Sequence, residues 1–505
     1  MRKLPVRIVG MIFLTLLIFT FINYSYTHSN SMIPNDTVVF KKRIFRSSRY
    51  MIPNVPYVWQ EVNGLCAWAS LNAVFRYFDA NTTLARLLDV SGTGFGFLYL
   101  RADPTLLFFT GPLGSQIPDT DFLAKIYGFN ITWYFGEETP GIDQLKPVLE
   151  EHDMNVIMLP SFSDGLEALK QDLHNNIPVV VSINPLRFST IRDYQAIALP
   201  NTVIVGHGVV VVGYNNTHIF VNDPGVGSFG NEYGFPTDQR GTYAPIPLED
   251  FQLAWEDRDL LATKFIPKPD FNFAAEKLYG HAIERIIAKL EGDESAYSYS
   301  QVMMWLGADA FLKMGTDVQP EEFEEILNNW DDYFEQNRTQ LVTTVASVKM
   351  AYLGALTLTY EAMQRAATDL SALLYGLDPY VDALNSLDHA LNQFDDLVDF
   401  AVLQFLGDDS KRMNQTLFDE AFDPLIQALK EGRSLDTALQ TSATQFETLS
   451  TQITNIGSAL KTFSETLKAA HTPYVPEPHL ILQFVLFNII LVIVTKSVRR
   501  KIQRY

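Results

Sequence analysis

One cysteine in 505 residues leaves no disulfide possible within the chain. Basic residues are also scarce. Lys and Arg number 38 against 58 Asp and Glu, a net charge of −20. Binding a phosphate backbone needs a basic stripe, and none appears outside the two ends, which argues against nucleic acid as a partner. Charged residues reach only 19% while hydrophobic residues make up 47%, which excludes a disordered chain. There is no H-E-x-x-H, no cysteine pair and no H-x-x-x-H spacing, so no metal site is expected. A G-x-x-x-x-G-K-[ST] loop is missing as well, and with it an ATP-driven transporter module. The glycine-rich "SGTGFGF" at 91–97 lacks a strand-to-helix context and reads as a flexible loop near a cleft. No cofactor is implied.

Long apolar runs are confined to the ends. Ile8 to Ile22 follows Arg2, Lys3 and Arg7; Leu480 to Val494 precedes Lys496, Arg499, Arg500, Lys501 and Arg504. Basic residues on the outer side of both runs place both termini in the cytoplasm by the positive-inside rule. The first run is also compatible with a cleaved signal peptide, but no A-x-A site follows it. Either way the middle of the chain is expected outside the cytoplasm, tethered to the cell membrane. Seven N-x-[ST] triplets, at Asn23, Asn35, Asn81, Asn130, Asn215, Asn337 and Asn414, fit an exported glycoprotein.

Between the ends the texture changes once. Residues 1–24 read as anchor or signal peptide and 25–50 as a polar linker. From 51 to 268, helical periodicity alternates with β-branched runs such as "IPVVVSI" and "GVVVVGY", punctuated by Gly and Pro, as in one α+β domain. From 269 to 472 apolar residues recur every three or four positions. Leu377, Tyr380, Leu384, Leu387, Leu391, Phe394 and Val398 form one seam; Leu439, Phe446, Ile453, Leu460 and Leu467, with Leu435, Leu449, Ile456 and Phe463, form another. This spacing predicts an antiparallel bundle of long helices, with a last helix regular enough for a coiled coil and for self-association. The acidic stretch Glu321 to Glu335 matches no calcium loop and reads as a solvated helix face. A transmembrane helix over 479–497 and a basic tail, 498–505, complete the expected order.

The lone thiol sits in "VNGLCAWASLNAVFRYF". Asn63 and Gly64 break the chain, and Ala67, Leu71, Val74 and Phe75 then recur at helical spacing, placing Cys66 at a helix start. Unpaired N–H groups and the helix dipole there favour a thiolate. The alternative is a cysteine packed as a small hydrophobe. Gln60, six residues earlier, is able to reach back and donate to an oxyanion beside the sulfur. In "VIVGHGVVVVGYNNTHIFVNDPG", a strand over 206–214, a turn near Asn215 and a returning strand over 218–222 set His207 opposite Asp223, to within one residue of register. That pairing holds an imidazole in the tautomer a general base needs. His218, the rival base, begins the returning strand near solvent.

These residues resemble a known group. "VPYVWQEVNGLCAWASLNAVFRYF", "LKQDLHNNIPVVVSIN" and "GHGVVVVGYNNTHIFVNDPG" are similar to the papain-like fold of the double-glycine, bacteriocin-processing peptidases (peptidase family C thirty-nine), over about 51–265. The resemblance implies Cys66 as nucleophile, His207 as base, Asp223 as its orienter and Gln60 in the oxyanion hole. It departs in the "AW" after Cys66, where small residues are common, and in the missing transporter module. The expected fold is therefore an α+β papain-like cysteine peptidase domain followed by an all-α antiparallel helical bundle, flanked by two transmembrane helices. The expected function is a membrane-anchored extracytoplasmic thiol protease acting on a peptide or protein substrate. Two alternatives use the same residues: an acyltransferase or transglutaminase-like enzyme, and a non-catalytic peptide-binding surface protein.

Overall fold

The computed structural model describes residues 48–61, 64–102, 106–110, 116–139, 142–151, 153–188, 191, 206–225, 240–269, 275–292, 297–299, 302–398 and 416–471. The two expected membrane segments, the basic tail, nearly all of the 25–50 linker and the triplets at Asn23, Asn35 and Asn414 lie outside the described residues.

The first part of the chain runs β1 (Tyr50–Met51), α1 (Cys66–Tyr77), α2 (Leu84–Val90), β2 (Leu98–Ala102), β3 (Leu106–Thr110), α3 (Gln116–Tyr127), β4 (Phe129–Gly136), α4 (Ile142–Glu151) and β5 (Asn155–Leu159). It continues with α5 (Phe162–His174), β6 (Val179–Ile183), β7 (His207–Tyr214), β8 (His218–Asn222), β9 (Ala244–Pro247), α6 (Leu248–Glu256) and β10 (Ala262–Pro267). One sheet has the order β5-β4-β10-β6-β7-β8-β9, with β1 also on β7. Only β4 and β5 pair in parallel among the pairs described. Helices cover both faces. Phe75 of α1 stacks on Phe129 with ring centroids 4.5 Å apart and meets Phe265 edge-on. The neighbouring Lys264 points to the opposite face, as alternation requires, and reaches Asp172 of α5 at 2.7 Å. Covered on both sides, β7 is buried at all eight positions, which is why its sequence is nearly continuous valine rather than alternating.

The remainder runs α7 (Ala275–Glu291), β11 (Tyr297–Tyr299), β12 (Val302–Leu306), α8 (Ala308–Asp317), α9 (Pro320–Tyr333), α10 (Arg338–Leu374), α11 (Val381–Val398), α12 (Thr416–Lys430), α13 (Leu435–Gln440) and α14 (Ala443–Ala470). It is mainly helical, but the expectation of an all-α, separate bundle is corrected in two ways. First, β11 and β12 extend a second sheet, β11-β12-β2-β3, whose other two strands come from the first part. Second, the hydrophobic core is continuous across both parts. Short strands of three and five residues that borrow a partner from distant sequence leave too little local pattern to read.

The "SGTGFGF" segment is likewise not a mobile cleft loop. Ser91, Thr93, Gly94, Phe95 and Phe97 are buried, and a Cβ at Gly94 would fall 2.6 Å from Ala366 Cβ of α10. The glycines are there because helices pack directly against this backbone. Of the expected seams, the one over 435–467 is buried at every position named, though Leu435 and Leu439 belong to α13, separated from α14 at Thr441–Ser442. That seam lies against α8, α11 and α12 within the same chain. Leu377 is corrected out of the other seam: it is 48% exposed in a turn before α11 begins. The acidic face of α9 points outward while Phe323, Ile326, Leu327 and Trp330 are buried. Among the described residues α10 is long and apolar enough to cross a membrane, but most of its apolar stretch is buried inside the molecule, as in a core helix.

Candidate active site

Cys66 is the first residue of α1 and is partly exposed. Leu65 at the N-cap offers no side-chain acceptor, so the first-turn N–H groups are left for other partners. The helix comes close to β7 because position 208 is glycine: a Cβ there would lie 3.0 Å from Ala67 Cα and 3.2 Å from Ala67 N. Ser70 Oγ fixes the approach by donating to the Gly208 carbonyl at 3.0 Å. As a result the Gly208 N–H donates to Cys66 Sγ at 3.3 Å.

His207, the first residue of β7, is 6% exposed. Its Nε2 lies 2.7 Å from Asp223 Oδ1, and the imidazole also interacts with the Cys66 side chain by hydrogen bonding and charge. Asp223 is fully buried, and the Gly225 N–H donates to the same Oδ1 at 2.8 Å. The register differs from the expected one. Tyr214 faces Ile219, so the turn is centred between Asn216 and Thr217 rather than near Asn215; a bulge between Val211 and Gly213 takes one residue back, Val210 faces Asn222, and His207 is offset from Asp223 by two residues rather than lying opposite it. Two residues preserve the face of the strand, and the diagonal neighbours still meet. His218 faces away from this cluster at the far end of β8, with Nδ1 2.8 Å from Thr217 Oγ1.

Gln60 is 1% exposed. Its backbone N–H donates to the Pro224 carbonyl at 3.1 Å, tying it to the turn that carries Asp223. Asn222 steadies the approach to Gln60 by donating to the carbonyls of Val55 and Pro56. The Gln60 Oε1 atom is buried and receives no hydrogen bond among the described residues. Between Gln60 and Cys66 the backbone is unusual: Glu61 has φ +61° and Gly64 φ +95°. Helix α10 packs on this loop. Arg365 Nε lies 3.0 Å from Glu61 Oε2, and a Cβ at Gly64 would fall 2.8 Å from Leu358 Cδ2.

The electrostatics are those of an ion pair. Burial pushes the Cys66 thiol up, but the His207 hydrogen bond and charge, followed by the Gly208 and Ala67 N–H groups, outweigh it and bring the thiol below its ordinary range. Burial likewise works against a proton on His207, and the Asp223 charge and hydrogen bond, with Cys66 itself, overcome it and raise the imidazole well above its usual value. The pair thus favours thiolate and imidazolium together.

Sequence reasoning did not single out Gly208 or Arg258. Arg258 is 5% exposed, with Nε 3.4 Å from Ser182 Oγ, and Ser182 is the cross-strand partner of Gly208. Burial lowers its guanidinium to about 10, against the charges of Asp259, Asp257 and Cys66. The only sequence signal for Gly208 was the Gly following His207; for Arg258 there was none.

Residues 52–257 match the model of the Peptidase_C39 like family. Among solved structures, the chain is similar to one described as a C39-like peptidase from Bacillus anthracis, at 16% identity. The similarity spans 44% of this chain and 99% of that one, with a TM-score of 0.26. No curated protein matches the chain.

Proposed function

Residues 52–257 form a C39-like peptidase domain, and from this we propose that the protein is a membrane-anchored, extracytoplasmic cysteine peptidase whose nucleophile is Cys66. The observation that carries the reading is the hydrogen-bonded line Cys66–His207–Asp223, with the Gly208 N–H on the sulfur. A thiolate at a helix start, paired with an imidazolium, is already the attacking species. Cys66 Sγ adds to the scissile carbonyl carbon, and the carbonyl oxygen becomes an oxyanion. The Gln60 amide and the Cys66 N–H supply its hydrogen bonds, each good donor lowering the barrier by about 3 kcal/mol. His207 gives its proton to the leaving amine as the C–N bond breaks, leaving a thioester. Water, deprotonated by the now neutral His207, adds to the thioester and releases the acid and the thiolate. Asp223 holds the ring in place. The anchoring rests on the two apolar, base-flanked runs at 8–22 and 480–494.

The test is alkylation of Cys66 by iodoacetamide across pH 4 to 9, with cleavage of a peptide library measured in parallel. The native protein labels well below the ~8.5 of a free thiol and cleaves peptides. His207→Ala labels only as an ordinary thiol, and Cys66→Ser cleaves nothing. An identical, ordinary titration in the native protein and His207→Ala overturns the proposal.

A further inference from the structure

The turn between α10 and α11 carries an apolar patch that has no partner among the described residues. Tyr375 is 85% exposed, Leu377 48% and Val381 50%. The other large exposed hydrophobic residues, Met51, Leu253, Ile266 and Tyr333, are scattered singly. Three within seven residues make a cluster, and such clusters mark interaction sites. The turn projects freely: Gly376, at φ +79°, has no atom within 4 Å of where a Cβ would stand.

Its place in the chain suggests the occupant. Tyr380 Oη, in the same turn, lies 3.3 Å from His471 Nδ1, and His471 caps the end of α14. The last helix therefore leaves the bundle beside this patch. Eight residues, 472–479, separate His471 from the apolar run Leu480 to Val494. Even fully extended they span only about 28 Å. A tyrosine with Leu and Val is also the side-chain set that enters a bilayer interface. Three side chains are far less than the ~800 Å² per partner of a stable protein interface, which argues against a second copy as occupant. Exposed Asp378 and Asp382 flank the patch and disfavour an anionic surface.

We propose that Tyr375, Leu377 and Val381 form a contact surface for a zwitterionic lipid bilayer, resting on the membrane-anchored reading above. The contact orients the enzyme. Arg365, which holds Glu61 in the loop before Cys66, lies ten residues up α10 from Tyr375. At 1.5 Å per residue that is about 15 Å along the helix. The cleft is then held near the bilayer, where it meets extracytoplasmic polypeptide segments close to the surface.

The test uses the full chain with Cys66→Ser and Tyr375→Cys, labelled with an environment-sensitive fluorophore and reconstituted into phosphatidylcholine vesicles containing headgroup-region nitroxide lipid. Asn216→Cys, on the exposed turn between β7 and β8, is the control. The expected result is several-fold stronger quenching at 375 than at 216, unchanged when the protein is diluted in lipid. Flotation with the vesicles but equal quenching at the two sites overturns the bilayer contact and leaves the anchor standing. Shielding at 375 that disappears on dilution assigns the patch to a second copy and overturns it too. Failure to float overturns the membrane anchoring itself, and the contact with it.

Discussion

Cys66 and His207 move in opposite directions because each supplies the charge the other needs, and Asp223 fixes the sign. With the thiol lowered and the imidazole raised, thiolate and imidazolium coexist between the two values. Alkylation needs only the thiolate, so its rate rises on the acid side and stays flat through neutral pH. Peptide cleavage also needs the imidazolium as an acid, so it falls again where His207 loses its proton, giving a bell-shaped profile in kcat/KM. Asp223→Asn, which keeps the shape but removes the charge, is expected to lower kcat by roughly 10²- to 10⁴-fold. It should also shift the acid limb of alkylation upward, measured by pH-dependent labelling. Gly208→Ala tests the close approach of α1. A Cβ 3.0 Å from Ala67 Cα meets backbone that cannot swing aside, so about 1–3 kcal/mol of stability is lost by denaturant unfolding, along with much of the low-pH labelling. At this scale Cys66 and His207 were legible, since each stands at a recognisable strand or helix start. The two-residue offset of Asp223 was not. It is set by a turn that closes between Asn216 and Thr217 rather than at Asn215, and by a bulge at 211–213, where nothing in the run of valines and glycine marks which residue is extra.

Helix α10 is the element that joins the two parts of the sequence. Its 37 residues touch the loop before Cys66, the 91–97 turn and helix α2, where Arg86 meets Asp369. The pair of Arg365 with Glu61 is half in solvent, so removing it costs little stability, about 0–1 kcal/mol. Its effect should instead appear in turnover, because it braces a loop held at positive φ between Gln60 and Cys66. Glu61→Gln, which leaves the Arg365–Glu361 pair intact, is expected to lower kcat several-fold with KM and Tm nearly unchanged. A parallel fall in Tm and activity would mean that the pair serves folding alone. The identity of its neighbours was invisible in the sequence, since contacts about 300 residues apart leave no local trace.

Taken whole, the molecule does not divide where its sequence texture does. Asp119 of α3 is fully buried between Arg285 and Lys289 of α7, with Oδ1 2.6 Å from Arg285 Nη2 and 2.9 Å from Lys289 Nζ. Asp119→Ala leaves two cations buried without their anion and is expected to cost about 3–5 kcal/mol, read by denaturant unfolding of the full chain. Residues 48–269 expressed alone should expose the face of β2 and the 91–97 turn and aggregate. A soluble, cooperatively folding fragment would show the second part to be dispensable for folding. The sequence by itself determined what is set by local repetition and chemistry: an α+β first part, a mainly helical second part, and a thiol at a helix start near a His–Asp strand pair. Those features follow from periods of two and 3.6 and from the few residue types able to do acyl chemistry. Only the tertiary structure decided the shared sheet, the common core, the glycine that brings sulfur to the β7 backbone and the clamp of α10 on the loop before Cys66. Each depends on side chains far apart along the chain filling the same space, and close packing is a property of the folded solid rather than of any window of sequence.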